Sequence, residues 1–265
     1  MNKRKVAVFV EGQTELVFVR EFLSKWYCYD ANVIGFDCYT LLKSEFQDVA
    51  YTYGSVDSEN YYMLVNVGND CSVLSKIRER IQQLDGLGYQ LVIGLRDMYS
   101  AQYIKDANGR KINDSVTQLH INTVREQIEL IPEGDMIDFH FAIMEVEAWL
   151  LGMSRFLQSI GPQLTHEYVL QHTNINLSED PETSLFHPAA ELGKIYGLVG
   201  RTYDKHEADI ASIMDNLQVD DFINLIQSGN CQTFKAFAES LLAKDLENME
   251  NSVQRLNVES RICSD

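Results

Sequence analysis

Basic residues are scarce in this sequence: 22 lysines and arginines stand against 39 aspartates and glutamates, a formal net charge of −17 over 265 residues. A protein that grips nucleic acid unaided through its phosphates carries a basic face. Any such contact here must therefore use a local patch, bound metal ions or a partner protein, and most of the acidic excess has a plain use as solubility charge. Long apolar runs are missing too, since no stretch approaches the roughly 20 residues of a membrane-spanning helix. The basic opening Met1-Asn2-Lys3-Arg4-Lys5 leads only into Val6 to Val10, which is too short for a signal-peptide core and has no small-residue cleavage site after it. A cytoplasmic protein with no membrane contact is the expectation. The five cysteines (Cys28, Cys38, Cys71, Cys231 and Cys263) are odd in number and include no CxxC pair. This argues against a disulfide framework or a cysteine zinc site and for reduced, mostly buried thiols. There is no GxxxxGK[ST] phosphate loop and no GxSxG elbow, and Gly12 stands without the other glycines of a dinucleotide fingerprint.

What is present is an alternation of strand and helix signals in the first half. Val6 to Val10, Tyr61 to Val67, Gln90 to Leu95 and Met136 to Met144 read as buried strands, and Asn32 to Leu42 is strand-like. Between them, helical spacing predicts helices over Thr14 to Trp26, Ser72 to Leu84 and Val116 to Leu130. On the first of these, Leu16, Val19, Phe22 and Leu23 form the core face and Glu15 and Arg20 are polar. Residues 44–60 and 100–114 read as loops. After Glu147 no strand is expected. Helices are predicted over Ala148 to Phe156, Thr165 to Gln171, Ala189 to Leu198, Glu207 to Leu217, Asp220 to Gln227 and Thr233 to Glu247, and the polar stretch Glu250 to Asp265 is expected to fray. The fold class that follows is α/β: a mostly parallel sheet flanked by helices over residues 1–147, then a helical domain over 148–265.

Three of the strand ends deliver carboxylates: Glu11, Asp97, and the pair Glu145 and Glu147. In a parallel sheet such ends share one edge, in the crevice where open α/β sheets hold ligands. Clustered carboxylates repel unless a proton or a cation bridges them, and an all-oxygen ligand set suits Mg²⁺ or Mn²⁺. Each acid also has a plainer use. Glu11 and Glu15 complement a helix dipole, Asp97 caps a loop, and Glu145 and Glu147 mark a strand-to-helix transition.

Val8-Phe9-Val10-Glu11-Gly12-Gln13-Thr14-Glu15 resembles the opening motif of TOPRIM-like proteins, the fold of topoisomerases, primases, OLD-type nucleases and ribosomal-RNA-maturation nucleases. The chain also resembles an uncharacterised bacterial TOPRIM-like family, often associated with defence loci. That family follows its VEGxTE opening with an EfEALLF-like segment, a proline-led helix, a YxK segment and a CxxFxxW helix. Here Glu145-Val146-Glu147-Ala148-Trp149-Leu150-Leu151, His187-Pro188-Ala189-Ala190-Glu191-Leu192, Tyr203-Asp204-Lys205 and Cys231-Gln232-Thr233-Phe234-Lys235-Ala236-Phe237 stand in the same order, so the resemblance spans nearly the whole chain. It implies a Mg²⁺-dependent site with Glu11 as acid/base or metal-shaping carboxylate, and it raises Lys205 from a surface lysine to a phosphate-neutralising group. One departure stands out. TOPRIM proteins place Asp-x-Asp after a buried strand, whereas this chain has Asp97-Met98-Tyr99. A tyrosine is no Mg²⁺ ligand at neutral pH, so Glu145 or Glu147 must complete the set.

The leading expectation is a metal-dependent phosphodiesterase or nuclease, with Glu11 and Lys205 catalytic and Glu11, Asp97, Glu145 and Glu147 holding the metal. Two others stand beside it: a non-catalytic partner subunit of an ATPase-containing defence complex, and an enzyme acting on small nucleotides. The histidines carry no zinc pattern, because His166 and His172 are six apart rather than three or four. His140 reads as a core or face residue. Tyr61, Tyr62, Tyr89, Tyr99 and Tyr103 suit a core better than a base-stacking platform, and Ser100 and Ser154 have no matching Ser-His-Asp arrangement.

Overall fold

A computed structural model describes residues 3–42, 45–68 and 72–243. Ser44, Cys71, Cys263, the end of the helix expected to reach Glu247 and the stretch Glu250 to Asp265 lie outside the described residues. The first half runs β1 (Arg4–Val10), α1 (Gln13–Trp26), β2 (Ile34–Leu42), β3 (Glu45–Tyr53), β4 (Asn60–Asn66), α2 (Val73–Arg78), α3 (Ile81–Gly86), β5 (Leu91–Asp97), α4 (Ala101–Asp106), α5 (Asp114–Glu129) and β6 (Ile137–Ala142). The second half is helical among the described residues: α6 (Val146–Gly152), α7 (Leu157–Ile160), α8 (His166–Thr173), α9 (Pro181–Ser184), α10 (Pro188–Gly197), α11 (Glu207–Asp215), α12 (Val219–Ser228) and α13 (Gln232–Leu242).

The six strands form one sheet in the order β3-β2-β4-β1-β5-β6. All neighbours are parallel except the edge pair β2–β3, so the fold is α/β with a mostly parallel mixed sheet. Strands covered on both faces need apolar residues at every position, and β1 meets this with Val6 to Val10 fully buried. Period-two alternation divides the core. Val6, Val8, Val10, Tyr62, Leu64, Ile93 and Leu95 face one cluster shared by α1 and the helices of the second half. Ala7, Phe9, Tyr61, Met63, Val65 and Val92 face a second cluster built with α2 and α3. The expected division after residue 147 falls inside α6, and the first cluster runs unbroken from β1 through Trp149 to Leu242.

Several local readings change, among them the helix expected over Ser72 to Leu84, which is broken at Glu79 and Arg80 into α2 and α3. The expected loop over 44–60 contains β3, an edge strand antiparallel to β2. Its outward Glu45 and Gln47 make it look loop-like, but Phe46 meets Tyr39 at 5.5 Å and Tyr51 and Tyr53 stack on Phe36 at 5.9 and 5.8 Å. The loop over 100–114 contains α4, whose cap Ser100 accepts the Tyr103 N–H at 3.1 Å. Finally, Glu15 and Arg20 are buried, because α1 lies between the sheet and the later helices. Arg20 pairs with Glu21 at 2.8 Å and lies 3.9 Å from the Tyr51 ring centre.

Candidate metal centre

β1 and β5 are parallel neighbours in register Val10↔Leu95, so the residues that follow them meet at the same sheet edge. The chain leaves β1 toward one face and β5 toward the other, which opens a crevice between their carboxyl ends. Across it the Asp97 N–H donates to Glu11 Oε2 at 3.1 Å. On the other side, β6 pairs with β5 in register Asp97↔Ala142, and this brings the Glu145–Glu147 turn beside Asp97.

Each buried carboxylate is anchored by a defined donor. Asp97 Oδ1 accepts the Val146 N–H at 3.0 Å and so satisfies the first turn of α6 from a neighbouring strand. Glu145 occupies the cap position of α6 but makes no cap bond there. Its Oε2 accepts the Ala189 N–H at 2.9 Å, at the start of α10. Glu147, in the first turn of α6, is 0% exposed; its Oε1 accepts the Tyr203 hydroxyl at 2.6 Å, while Oε2 accepts no hydrogen bond. One oxygen from each of Asp97, Glu145 and Glu147 lies within 4.8 Å of the others, a spacing a single metal ion can span. Glu11 is held at the rim by its bond to the Asp97 backbone and is not among those three.

Lys205 enters this group from the segment before α11. Its Nζ lies 3.0 Å from Glu145 Oε1, 3.2 Å from Glu147 Oε2 and 3.6 Å from Asp97 Oδ2. Tyr203 and Lys205 both point inward with Asp204 exposed between them, the period of an extended chain. Lys205 itself has a left-handed backbone (φ +58°), which is unfavourable by roughly 1–2 kcal/mol for a residue with a Cβ. Its charge contacts and the Thr14 hydroxyl, which donates to its carbonyl at 3.3 Å, hold it there. His187 Nε2 lies 3.7 Å from Glu145 Oε1, with its ring stacked on Tyr99 at 4.4 Å.

The electrostatics are those of a crowded anionic site. Burial, then Glu15, pushes the Asp97 carboxyl well up, against the pull of Lys205. Burial raises Glu147 as well, opposed mainly by Lys205 and reinforced by Glu145. Burial disfavours the Lys205 charge, yet Glu147, Asp97 and Glu145 together overcome it and hold the ammonium well above the ordinary lysine value. Glu15 belongs to the same site: it is buried and raised, with Lys205 and Glu147 as its charged neighbours.

The structure thus brings together Asp97, Glu145, Glu147 and Lys205, with Glu11 one hydrogen bond away. Sequence reasoning missed two members. Glu15 reads from sequence as a helix-dipole residue, although its four-residue spacing from Glu11 across the strand-to-helix turn is a usable signal. Tyr203 stands out in the sequence only as part of the Tyr203-Asp204-Lys205 segment. Tyr99, at the second position of the Asp-x-Asp pattern, faces His187 and Phe186 instead of the carboxylates. Elsewhere Ser154 Oγ lies 2.9 Å from His166 Nε2, but among the described residues no carboxylate bonds to His166. No protein-family model, curated protein or solved structure matches the chain. No helix among the described residues is long and apolar enough to cross a membrane.

Proposed function

We propose that this chain is a TOPRIM-like, metal-dependent phosphodiester hydrolase acting on nucleic acid. One observation carries the reading: three buried carboxylates converge in the crevice at the strand ends, with one oxygen of each within 4.8 Å of the others. The donor set is all oxygen, and Asp97, Glu145 and Glu147, with Glu15 close by, share a single ammonium, which fits a hard divalent cation such as Mg²⁺ or Mn²⁺. Asp97, Glu145 and Glu147 would hold it. Such an ion supplies Lewis acidity toward a phosphoryl oxygen and a more acidic bound water. Tyr203 and the Ala189 N–H orient Glu147 and Glu145, and Glu11 at the rim is placed to accept a proton from water. Lys205, displaced from the carboxylates, is placed to meet a phosphate.

The test is cleavage of DNA, RNA and mononucleotide esters with Mg²⁺, Mn²⁺ or chelator. Metal-dependent cleavage is expected, reduced by about 10³-fold in Glu147→Gln, since loss of a metal's charge stabilisation is worth several kcal/mol at 1.36 kcal/mol per decade. Cleavage that persists in chelator or in that variant overturns the reading. A second reading rests on the Lys205 ammonium, which already serves all three carboxylates: a non-catalytic subunit that docks an ATPase partner. No cleavage with any metal, together with a stable complex with such a partner, supports it.

A further inference from the structure

Strand alternation sends Arg96 to the opposite face of the sheet from Asp97, into a cleft between β5, β6, α4 and α5 of about 440 Å³. That volume lies within the range of small-molecule sites. Arg96 is the direct cross-strand partner of Phe141, and its guanidinium carbon lies 5.4 Å from that ring centre. Its Nε is buried and has no hydrogen-bond partner. Among the described residues, in a chain with 39 acids, no carboxylate pairs with it. The one acid in the cleft wall, Asp106, is engaged elsewhere: Oδ1 accepts from Gln102 at 2.7 Å and Oδ2 meets His120 Nε2 at 2.9 Å. The remaining walls are the apolar Leu119, Val124 and Phe141, with Thr123, whose hydroxyl donates to the Leu119 carbonyl, and the exposed Gln127 beside them.

From these features we infer that the cleft is a binding site for a small organic carboxylate with a flat apolar body. The charge arithmetic selects a monoanion: one guanidinium lacks a counter-charge, while His120 and Asp106 answer each other. A phosphate dianion would need a second cation, which the walls do not supply. Geometry selects a planar carboxylate, since the guanidinium fork matches it and a cation stacked on an aromatic ring is held in one orientation. The apolar walls then cover the body of the ligand. The site is separate from the carboxylate cluster across the sheet and stands whether or not that cluster binds metal.

The probe is benzoate, with benzyl alcohol as the uncharged isostere and inorganic phosphate as the dianion, titrated into the full chain by calorimetry and by amide chemical-shift mapping. Saturable benzoate binding is expected, with shifts in α5 and β5, at least 10-fold tighter than benzyl alcohol or phosphate, because a hydrogen-bonded charge pair is worth about one to two decades. Arg96→Gln is expected to weaken it at least 10-fold. Gln127→Glu, at an exposed helix position where folding is not at stake, is expected to weaken it also by placing a like charge at the rim. Equal binding of benzyl alcohol, unchanged binding in both variants, or no saturable benzoate binding overturns the assignment, and phosphate binding tighter than benzoate refutes the monoanion.

Discussion

Lys205→Met is expected to lower stability by about 2–3 kcal/mol in metal-free buffer, with the loss largely recovered on adding Mg²⁺ or Mn²⁺. Removing one partner of a buried charge group leaves the others uncompensated, at roughly 3–5 kcal/mol. The Lys205 side chain is 34% exposed, so solvent screening moves the figure to the low end. Methionine preserves the unbranched apolar stem of the side chain and removes the ammonium group. With the ammonium gone, the three carboxylates hold their geometry through Val146, Ala189 and Tyr203 but lack a cation. A divalent ion then binds the folded state alone and stabilises it by mass action. Urea midpoints with and without metal read this directly. If metal rescues the variant more than it stabilises the parent, ammonium and metal compete for one position. Destabilisation that no divalent ion reverses makes the cluster a structural ion-pair network and favours the non-catalytic reading.

The legibility of this chain follows which interactions are local. The strands β1, β4 and β5 are covered on both faces, so their apolar runs are continuous and identify themselves. The strand ends then place Glu11, Asp97, Glu145 and Glu147 at one edge by topology alone. What topology does not reveal is direction. Glu11 is one hydrogen bond short of the three-carboxylate cluster, and Glu145 turns from its own helix to the start of α10, because the backbone N–H groups that claim them come from distant segments. Lys205 is illegible for the same reason: an exposed-type residue in a short linker becomes the hub of the site only through contacts 58 to 108 residues away in the chain. Edge strand β3 reads as a loop because its aromatics are divided between the two faces, Phe46 packing on the second cluster and Tyr51 and Tyr53 on the first, without a regular run.

Trp149→Ala is expected to cost about 3–5 kcal/mol, a large share of the roughly 5–15 kcal/mol that holds a typical domain folded. Trp149 is fully buried where the two halves of the chain meet. Its ring centre lies 5.6 Å from Phe18 of α1 and 5.4 and 5.5 Å from Phe234 and Phe237 of α13. Its Nε1 donates to Glu182 Oε1 at 2.8 Å and to Thr233 Oγ1 at 3.1 Å. Truncation therefore opens a cavity between aromatic neighbours and removes a donor from a carboxylate that burial already pushes up. Trp149→Phe keeps an aromatic ring against these neighbours while removing the N–H and part of the indole volume, for about 1–3 kcal/mol. The alanine variant also reports on domain organisation, because Trp26 in α1 is then the one tryptophan left. Its fluorescence follows α1, while far-ultraviolet circular dichroism reports the helices of both halves. A core shared from β1 to α13 requires the two signals to fall together at one denaturant midpoint. Separate midpoints would mean that the helical half folds on its own, and that the aromatic cluster around Trp149 is an interface between two units instead of the interior of one.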